Sequence, residues 1–245
     1  MQLNNQLSKS RFITLEDSST KFFVYDLPET WWSRFYEYDW CKNFIESNDV
    51  VLDAASGVIH PLKFYLADNC KEVFACDIDS YIETKDYNLL PPEYKSDPKI
   101  IDTINTEEYF RKTNNKCCSL TKMPYEDKKF DKIFCISVLE HLNDSYNSKL
   151  DAKTKKLPLS FNLFHTPKDI YKSLKEFKRI LKDDGYLILT FDYPSINLTY
   201  LNLIIEKLNL CFVSEHDFSL PDNAIYSEVY GLYCYRAVIK KRQKA

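Results

Sequence analysis

Glycine is scarce in this chain, with only three among 245 residues: Gly57, Gly185 and Gly231. Glycine adopts left-handed backbone conformations without steric cost, so these few are expected where the geometry requires them. Gly57 follows one apolar run and Gly185 precedes another, and the sequence predicts that both mark boundaries between a strand and a helix. A dinucleotide-binding loop needs the spacing G-x-G-x-x-G, of which only Gly57 is present, so the sequence indicates a pyrophosphate-binding loop only weakly.

The chain also lacks an excess of basic residues and any long apolar run. Lysine and arginine number 33 against 36 aspartates and glutamates, for a formal net charge of -3. Proteins that neutralise phosphates usually carry a basic excess, so the composition argues against a nucleic-acid partner. No apolar stretch reaches the roughly 18–20 residues of a membrane span, and the first residues contain no apolar signal segment. We therefore expect no membrane partner and a cytoplasmic location.

Metal-ligating and disulfide patterns are missing from the sequence as well. The eight cysteines follow no C-x-x-C or Cys/His spacing, and several lie inside apolar runs. This usage predicts reduced, buried thiols and no metal site. A hydrophobic content of 44% and an aromatic content of 15% are sufficient for a large core, and the length suits one well-cored domain.

Apolar runs alternate with helical spacing along most of the chain. Strands are predicted over 50–53, 73–77, 132–136, 186–192, 210–215 and 230–239, and helices over 33–47, 58–69, 167–182 and 198–208. The first four strands are continuously apolar, which is typical of parallel strands covered on both faces. The alternation predicts a doubly wound α/β sheet, and the last two strands are candidates for an antiparallel pair at its edge.

Three segments fall outside this alternation: 1–32, 86–116 and 143–166. The last follows the carboxyl end of a strand, where open α/β sheets bind ligands, so we expect a lid or a substrate wall there. The predicted organisation is an N-terminal extension with a pre-sheet helix over 1–48, covering the ligand, and an α/β domain over 49–245.

Two acidic residues end neighbouring predicted strands. Asp53 precedes the small residues Ala54–Gly57, which allow a ligand to approach the backbone, although an ordinary tight turn would need the same residues. Asp77 ends the next strand and is placed to accept hydrogen bonds from a ribose diol. The alternative for Asp77 is a helix cap, a role that Asp79 could serve equally well.

Four blocks in register resemble the class I S-adenosylmethionine-dependent methyltransferases, in their methyltransferase-11-like small-molecule branch. The blocks are 52–57, 76–79, 119–125 together with 130–142, and 177–187. The resemblance implies a Rossmann-like, mostly parallel seven-stranded sheet with an antiparallel edge strand and helices on both faces. It also implies S-adenosyl-L-methionine as the cofactor. The chain departs from the family pattern at Ala55 and Ile59, where glycine is usual, and at Ser119, where aspartate is usual.

The resemblance implies a role for each matching position. Asp53 and the backbone of Ala54, Ala55, Ser56 and Gly57 would face the methionine end of the cofactor, and Asp77 would hold the ribose hydroxyls. Ile78 would pack on the adenine, and Ser119 and Leu120 would contact the adenine edge. Ser137, Val138 and His141 would line the pocket of the sulfonium.

An aromatic run precedes the first central strand, and it contains Arg34 and Tyr38 at i and i+4 on one helical face. Many members of the family place a pre-sheet helix over the methionine moiety, so Arg34 could bind its carboxylate. Tyrosine faces also attract onium ions. The alternative is a surface ion pair between Arg34 and Glu37, with the aromatic residues filling the core.

The methyl acceptor and the proton acceptor are the least determined by the sequence. His141 and His165 are the candidate catalytic residues, with Asp192 and Tyr193 as further candidates, although a lone histidine is more often structural. We expect O-methylation of a small polar or nucleotide-activated sugar acceptor. The alternatives are an NAD(P)-dependent Rossmann oxidoreductase and a regulatory protein that binds S-adenosylmethionine without turnover.

Overall fold

The computed structural model describes residues 5–95, 98–104, 109, 112–143 and 168–243, and a mixed β-sheet lies at its centre. The strands are β1 (Arg11–Phe12), β2 (Val50–Ala54), β3 (Glu72–Asp77), β4 (Thr113–Cys117), β5 (Phe130–Ile136), β6 (Leu181–Tyr193), β7 (Leu210–Phe212), β8 (Tyr226–Ser227) and β9 (Leu232–Lys241). The α-helices are α1 (Asn5–Ser8), α2 (Arg34–Cys41), α3 (Leu62–Asn69), α4 (Pro98–Ile104), α5 (Lys168–Ile180) and α6 (Leu198–Lys207). Short 3-10 helices include Ser80–Glu83 and Leu139–Asn143.

The strand order confirms the predicted α/β fold, but the described residues form a sheet of nine strands, not the seven that the resemblance implies, because β1 and β8 add short strands to β9. It runs β1-β9-β6-β5-β2-β3-β4, with β7 and β8 also paired to β9. Strands β2 to β6 pair in parallel, whereas β9 is antiparallel to each of its neighbours. The order reverses between β2 and β5, and open α/β sheets bind ligands in the crevice outside such a reversal.

Helices cover both faces of the sheet. The apolar stripe of α5 packs with α6 in one core cluster, and α2 and α3 belong to the cluster on the other face. Strands β2 and β5 are buried along almost their whole length, as their continuous apolar runs predict. None of the helices in the described part of the chain has the length and apolar character needed to cross a bilayer.

Two edge strands lie in segments outside the predicted strand–helix alternation. Strand β4 is formed by polar residues at the end of the 86–116 segment, and its side chains alternate between exposed and partly buried positions. An edge strand of this kind has too few apolar residues to be recognised from the sequence. Strand β1, in the N-terminal segment, pairs with β9, and Phe12 packs edge-to-face on Tyr193 and Tyr235.

Gly185 does not lie at a helix–strand boundary, so this prediction is wrong. Helix α5 ends at Ile180 and β6 begins at the next residue, so Gly185 lies within the strand. A Cβ atom at this position would lie 2.7 Å from the carbonyl oxygen of Asp131, beside an irregular step in the β5–β6 ladder. Close approach of two strands therefore explains this glycine.

Candidate active site

A cavity of about 290 Å³ opens at the carboxyl ends of β2, β3 and β5. It is lined by ten residues predicted from the sequence, namely Arg34, Tyr38, Asp53, Ala55, Ser56, Gly57, Asp77, Ser137, Val138 and His141. His60, Leu62 and Ile136 also line it and were not predicted. The cavity lies where the strand order reverses, so it occupies the position at which this class of sheet binds ligands.

The loop after β2 forms one wall of the cavity. Ala55 and Gly57 both have positive φ, of 54° and 61°. The amide of Ser56 donates to the carbonyl oxygen of Cys76 at 2.9 Å, and that of Gly57 donates to Oδ2 of Asp77 at 2.8 Å. Ala55 therefore adopts a conformation that favours glycine, while hydrogen bonds to β3 hold the loop in place.

Asp53 and Asp77 are both at the cavity but in different electrostatic settings. Asp53 is only 3% exposed, and its Oδ2 has no hydrogen-bond partner among the described residues. Burial raises the pKa of Asp53 to about 7, with the Lys63 cation opposing the shift and Asp77 adding to it. An unpartnered buried carboxylate oxygen in a cavity is suited to receive a donor from a ligand.

The helix-cap alternative for Asp77 is not what the structure shows. Asp79 caps the 3-10 helix Ser80–Glu83 by accepting from the amide of Tyr81, whereas Asp77 accepts from the amides of Gly57 and Asp79. Each carboxylate oxygen of Asp77 therefore has one backbone donor. Because a carboxylate oxygen accepts more than one hydrogen bond, Asp77 can still accept from ligand hydroxyls.

Arg34 forms an ion pair with Glu37, but the pair is buried and is not the surface pair considered above. Its Nη1 lies 2.5 Å from Oε2 of Glu37, which is fully buried. Ser137 Oγ and Cys234 Sγ both donate to the other carboxylate oxygen of Glu37, at 2.6 and 3.3 Å. Burial opposes the negative charge, yet Arg34 and these donors hold the pKa of Glu37 below its usual value.

The pairing with Glu37 leaves part of Arg34 available to the cavity. Among the described residues its side chain donates only through Nη1, to Glu37 and Ser33. A guanidinium has five N–H donors in a planar fork, so the remaining donors can bind a carboxylate. Glu37 thus orients a cation that lines the cavity.

Aromatic residues of the N-terminal part of the chain contact His60, which lines the cavity. Tyr38 Oη lies 3.0 Å from Nδ1 of His60, and Trp31 stacks on the His60 ring at 4.2 Å with an interplanar angle of 2°. Burial, together with the nearby cations of Arg34 and Lys63, lowers the pKa of His60 to about 3, so this ring is neutral. No local sequence pattern indicates His60, because its place depends on these tertiary contacts.

Acidic groups lie close to His141 at the mouth of the cavity. The amide of Asp192, near the end of β6, donates to Oε1 of Glu140 at 3.2 Å. Burial and repulsion by Asp192 raise the pKa of Glu140 to about 8, and burial and repulsion by Glu37 raise that of Asp192 to about 6. His141 is exposed and close enough to Asp192 to favour its charged form.

Several predicted site residues do not line the cavity. Ile78 is 80% exposed beyond Asp77, and exposed Ser119 bonds to Thr121, while Leu120 and Ala54 are buried in the core. The amide of Cys118 donates to the carbonyl oxygen of Asp77, so Ser119 and Leu120 follow a residue that contacts this edge of the site. Their predicted contacts with adenine stay predictions. Tyr193 packs on Phe12, and His165 and nearly all of the 143–166 insertion lie outside the described residues.

The chemistry of the cavity fits an amino-acid nucleoside better than a metal ion. Within the described ranges, no group of three His, Cys, Asp or Glu side chains could hold a metal ion. The cavity instead combines a guanidinium, an unpartnered carboxylate and a second carboxylate at the end of the adjacent strand. These groups match a carboxylate, an ammonium and a vicinal diol respectively.

Comparisons with known proteins agree with this fold. A family model for a methyltransferase domain matches residues 52–152. The solved structure of the [4+2]-cyclase SpnF is 9% identical, over 98% of this chain and 91% of that one, with a TM-score of 0.57. A TehB-like SAM-dependent methyltransferase from Corynebacterium glutamicum is 14% identical, over 84% and 87%, with a TM-score of 0.49. The 1,6-didemethyltoxoflavin-N1-methyltransferase of Burkholderia thailandensis is 13% identical, over 80% and 72%, with a TM-score of 0.49.

No curated protein matches the chain in sequence. The region that matches the family model includes Asp53, Asp77, Ser137 and His141, so it carries most of the cavity. Arg34 and Tyr38 lie outside it, in helix α2.

Proposed function

We propose that this chain, which is a class I S-adenosylmethionine-dependent methyltransferase, methylates a hydroxyl oxygen of a small polar acceptor. The observation that carries the proposal is a single cavity in which Arg34, Asp53 and Asp77 meet at the carboxyl ends of the central strands. Their charges complement those of the donor's amino-acid and ribose groups.

Three residues would hold the donor. Arg34, oriented by Glu37, binds the methionine carboxylate through its free guanidinium donors. Asp53 accepts from the α-ammonium, because its Oδ2 is buried without a partner. Asp77 accepts from the ribose hydroxyls while its backbone bonds to Gly57 and Asp79 keep the carboxylate fixed. When bound, S-adenosylmethionine supplies a methyl group already activated by the positive sulfur.

The remaining task of the protein is to orient the acceptor and to accept its proton. His141 lies at the cavity mouth, where it could accept the proton of the acceptor hydroxyl. The nearby His141 favours the charged form of Asp192, so a carboxylate lies close to the proposed proton acceptor. Tyr38 offers an aromatic ring that attracts cations at the cavity wall.

The acceptor class follows from the charge around His141. Glu140 and Asp192 make this region acidic or neutral according to pH, so it does not attract an anionic reacting group. We propose a neutral hydroxyl, on a small polar molecule or on the sugar of a nucleotide-activated sugar. We further propose that residues 1–48 cover the donor and that His165 and the 143–166 insertion enclose the acceptor.

Calorimetric titration with S-adenosylmethionine, S-adenosylhomocysteine, NADH and NADPH tests donor binding. We expect the first two to bind and the nicotinamides not to bind. Asp77→Ala should abolish binding of the donor, and Asp79→Ala, which removes the neighbouring cap, is the matched control. Tight binding of a nicotinamide instead would favour the oxidoreductase alternative.

Turnover needs a separate assay, because a protein with this fold can use the pocket for other purposes. Conversion of S-adenosylmethionine to S-adenosylhomocysteine is measured against matched panels of sugar nucleotides, other alcohols and amines. We expect turnover with hydroxyl acceptors. Turnover only with amines would overturn the O-methylation proposal, and binding without turnover on any panel member would favour the regulatory alternative.

A further inference from the structure

Lys63 is a fully buried cation that neither lines the cavity nor has a role in the mechanism above. It lies in the first turn of α3, directly after the loop that forms the cavity wall. Its Nζ donates to the carbonyl oxygen of Gly57 at 2.6 Å and to that of His60 at 3.1 Å. Both acceptors belong to the loop, and both residues line the cavity.

Side chains add to the support that this loop receives from the backbone bond between Ser56 and Cys76. Ala55 has a positive φ, which costs a residue with a Cβ atom energy that glycine avoids. Lys63 and Asp77 together hold the Gly57 residue from two sides, because Asp77 accepts from its amide and Lys63 donates to its carbonyl. The loop is therefore fixed by side chains at the position where it faces the ligand.

Lys63 also balances the charges of the two carboxylates that face the cavity. Burial disfavours its ammonium and lowers its pKa to about 8, while Asp53 and then Asp77 favour the charged form. The Gly57 and His60 carbonyl oxygens supply the hydrogen bonds that a buried charge needs, and Asp53 and Asp77 interact with the ammonium electrostatically. Removal of the cation would leave Asp53 and Asp77 without this compensation.

We propose that Lys63 is a positioning residue of the donor site: it holds the Ala55–His60 loop in its ligand-binding form and compensates the charges of Asp53 and Asp77. This inference rests on the proposed function, because the ligand is S-adenosylmethionine. Loss of the Lys63 hydrogen bonds to the loop would weaken the binding of any ligand in the cavity. Loss of the Lys63 charge would affect the affinity for the cationic donor and the affinity for S-adenosylhomocysteine, whose thioether is uncharged, differently.

The test compares Lys63→Met with Lys71→Met by calorimetry, using S-adenosylmethionine and S-adenosylhomocysteine as probes. Methionine matches the lysine stem without the ammonium, and Lys71 is an exposed lysine close by in the chain. We expect Lys63→Met to weaken S-adenosylhomocysteine binding by about tenfold or more, since hydrogen bonds from a charged group are lost. S-adenosylmethionine should lose less, because the uncompensated carboxylates attract its sulfonium, and Lys71→Met should change neither.

A change in the ratio of the two affinities is the readout that a purely structural role would not produce. Unchanged affinities, or an equal loss for both ligands, would overturn the proposal. If wild type binds neither ligand, the proposed function fails, and this inference fails with it. If wild type binds both ligands and Lys63→Met binds each with the wild-type affinity, only the inference about Lys63 fails.

A second variant covers the case in which Lys63→Met folds poorly. The double variant Lys63→Met/Ala55→Gly removes the strain at position 55 and should recover about fivefold in affinity for both ligands. Ala55→Gly alone is measured alongside, so that the recovery in the double variant is judged against the effect of that change by itself. Absence of recovery in a folded double variant would overturn the role of Lys63 in holding the loop.

Discussion

Glu37 is the residue whose replacement gives the most quantitative test of the site. It is fully buried, and the groups that donate to its two carboxylate oxygens include Arg34, Ser33, Ser137 and Cys234. The hydroxyls and the thiol can rearrange around a neutral side chain. The guanidinium cannot, because it carries only donors and a permanent charge.

Glu37→Gln keeps the shape of the side chain and removes the charge. Its amide oxygen can still face Arg34 while its NH₂ group faces the Ser137 oxygen, so the main loss is the ionic compensation of a side chain that is only 17% exposed. Breaking one side of a buried pair costs about 3–5 kcal/mol of unfolding free energy. We expect a destabilisation in that range.

The assay is urea denaturation at neutral pH, monitored by tryptophan fluorescence. It compares wild type, Glu37→Gln, Arg34→Met and the double variant. The double variant should be less destabilised than the sum of the single changes, by at least about 1 kcal/mol, because it leaves no buried charge unpaired. A loss below about 1 kcal/mol for Glu37→Gln, or additive single effects, would refute the account of this ion pair.

Three further predictions concern pH, backbone strain and proton transfer. The pKa of Glu140 is raised to about 8, so the contribution of this group to stability is lost as pH rises from about 4 to 8. Glu140→Gln should remove that loss and be more stable than wild type at pH 8 in thermal unfolding. Gly57→Ala should destabilise the protein and weaken donor binding, because the new Cβ would lie 2.6 Å from the His60 ring. Gly231→Ala is the control: its φ is similar and its new Cβ would meet Tyr226 Oη at an ordinary 3.8 Å, so it should weaken stability by about 1–2 kcal/mol but leave binding intact. His141→Ala should lower kcat about 100-fold or more with donor affinity unchanged in calorimetry; an unchanged kcat would exclude it as the proton acceptor.

The sequence predicts those cavity residues whose position in the fold follows from a local sequence pattern. Asp53 and Asp77 each end an apolar run, and the carboxyl ends of neighbouring parallel strands meet at one edge of the sheet. Arg34 and Tyr38 share a helical face because they are four residues apart. These positions depend on periodicity and strand order, which the sequence carries locally.

Long-range contacts explain what the sequence leaves open. Glu37 has the spacing of a surface pair with Arg34, but Ser137 and Cys234, separated from it by 100 and 197 positions, surround it with donors. His60 has no local pattern at all and is fixed by Tyr38 and Trp31. A local window contains neither partner, so these roles appear only once the chain is folded.

The scarcity of glycine and the buried side chains around the loop have a common physical basis. A loop rich in glycine can fit a ligand through its backbone, but it loses more conformational entropy when it becomes ordered. Here the Ile59 carbonyl accepts from Tyr25 Oη at 2.6 Å, and the Gly57 carbonyl accepts from Lys63. These bonds order the loop in the folded protein before any ligand arrives, so less ordering remains for the binding step. Because Tyr25 belongs to the N-terminal segment, this hydrogen bond connects that segment to the loop of the proposed donor site.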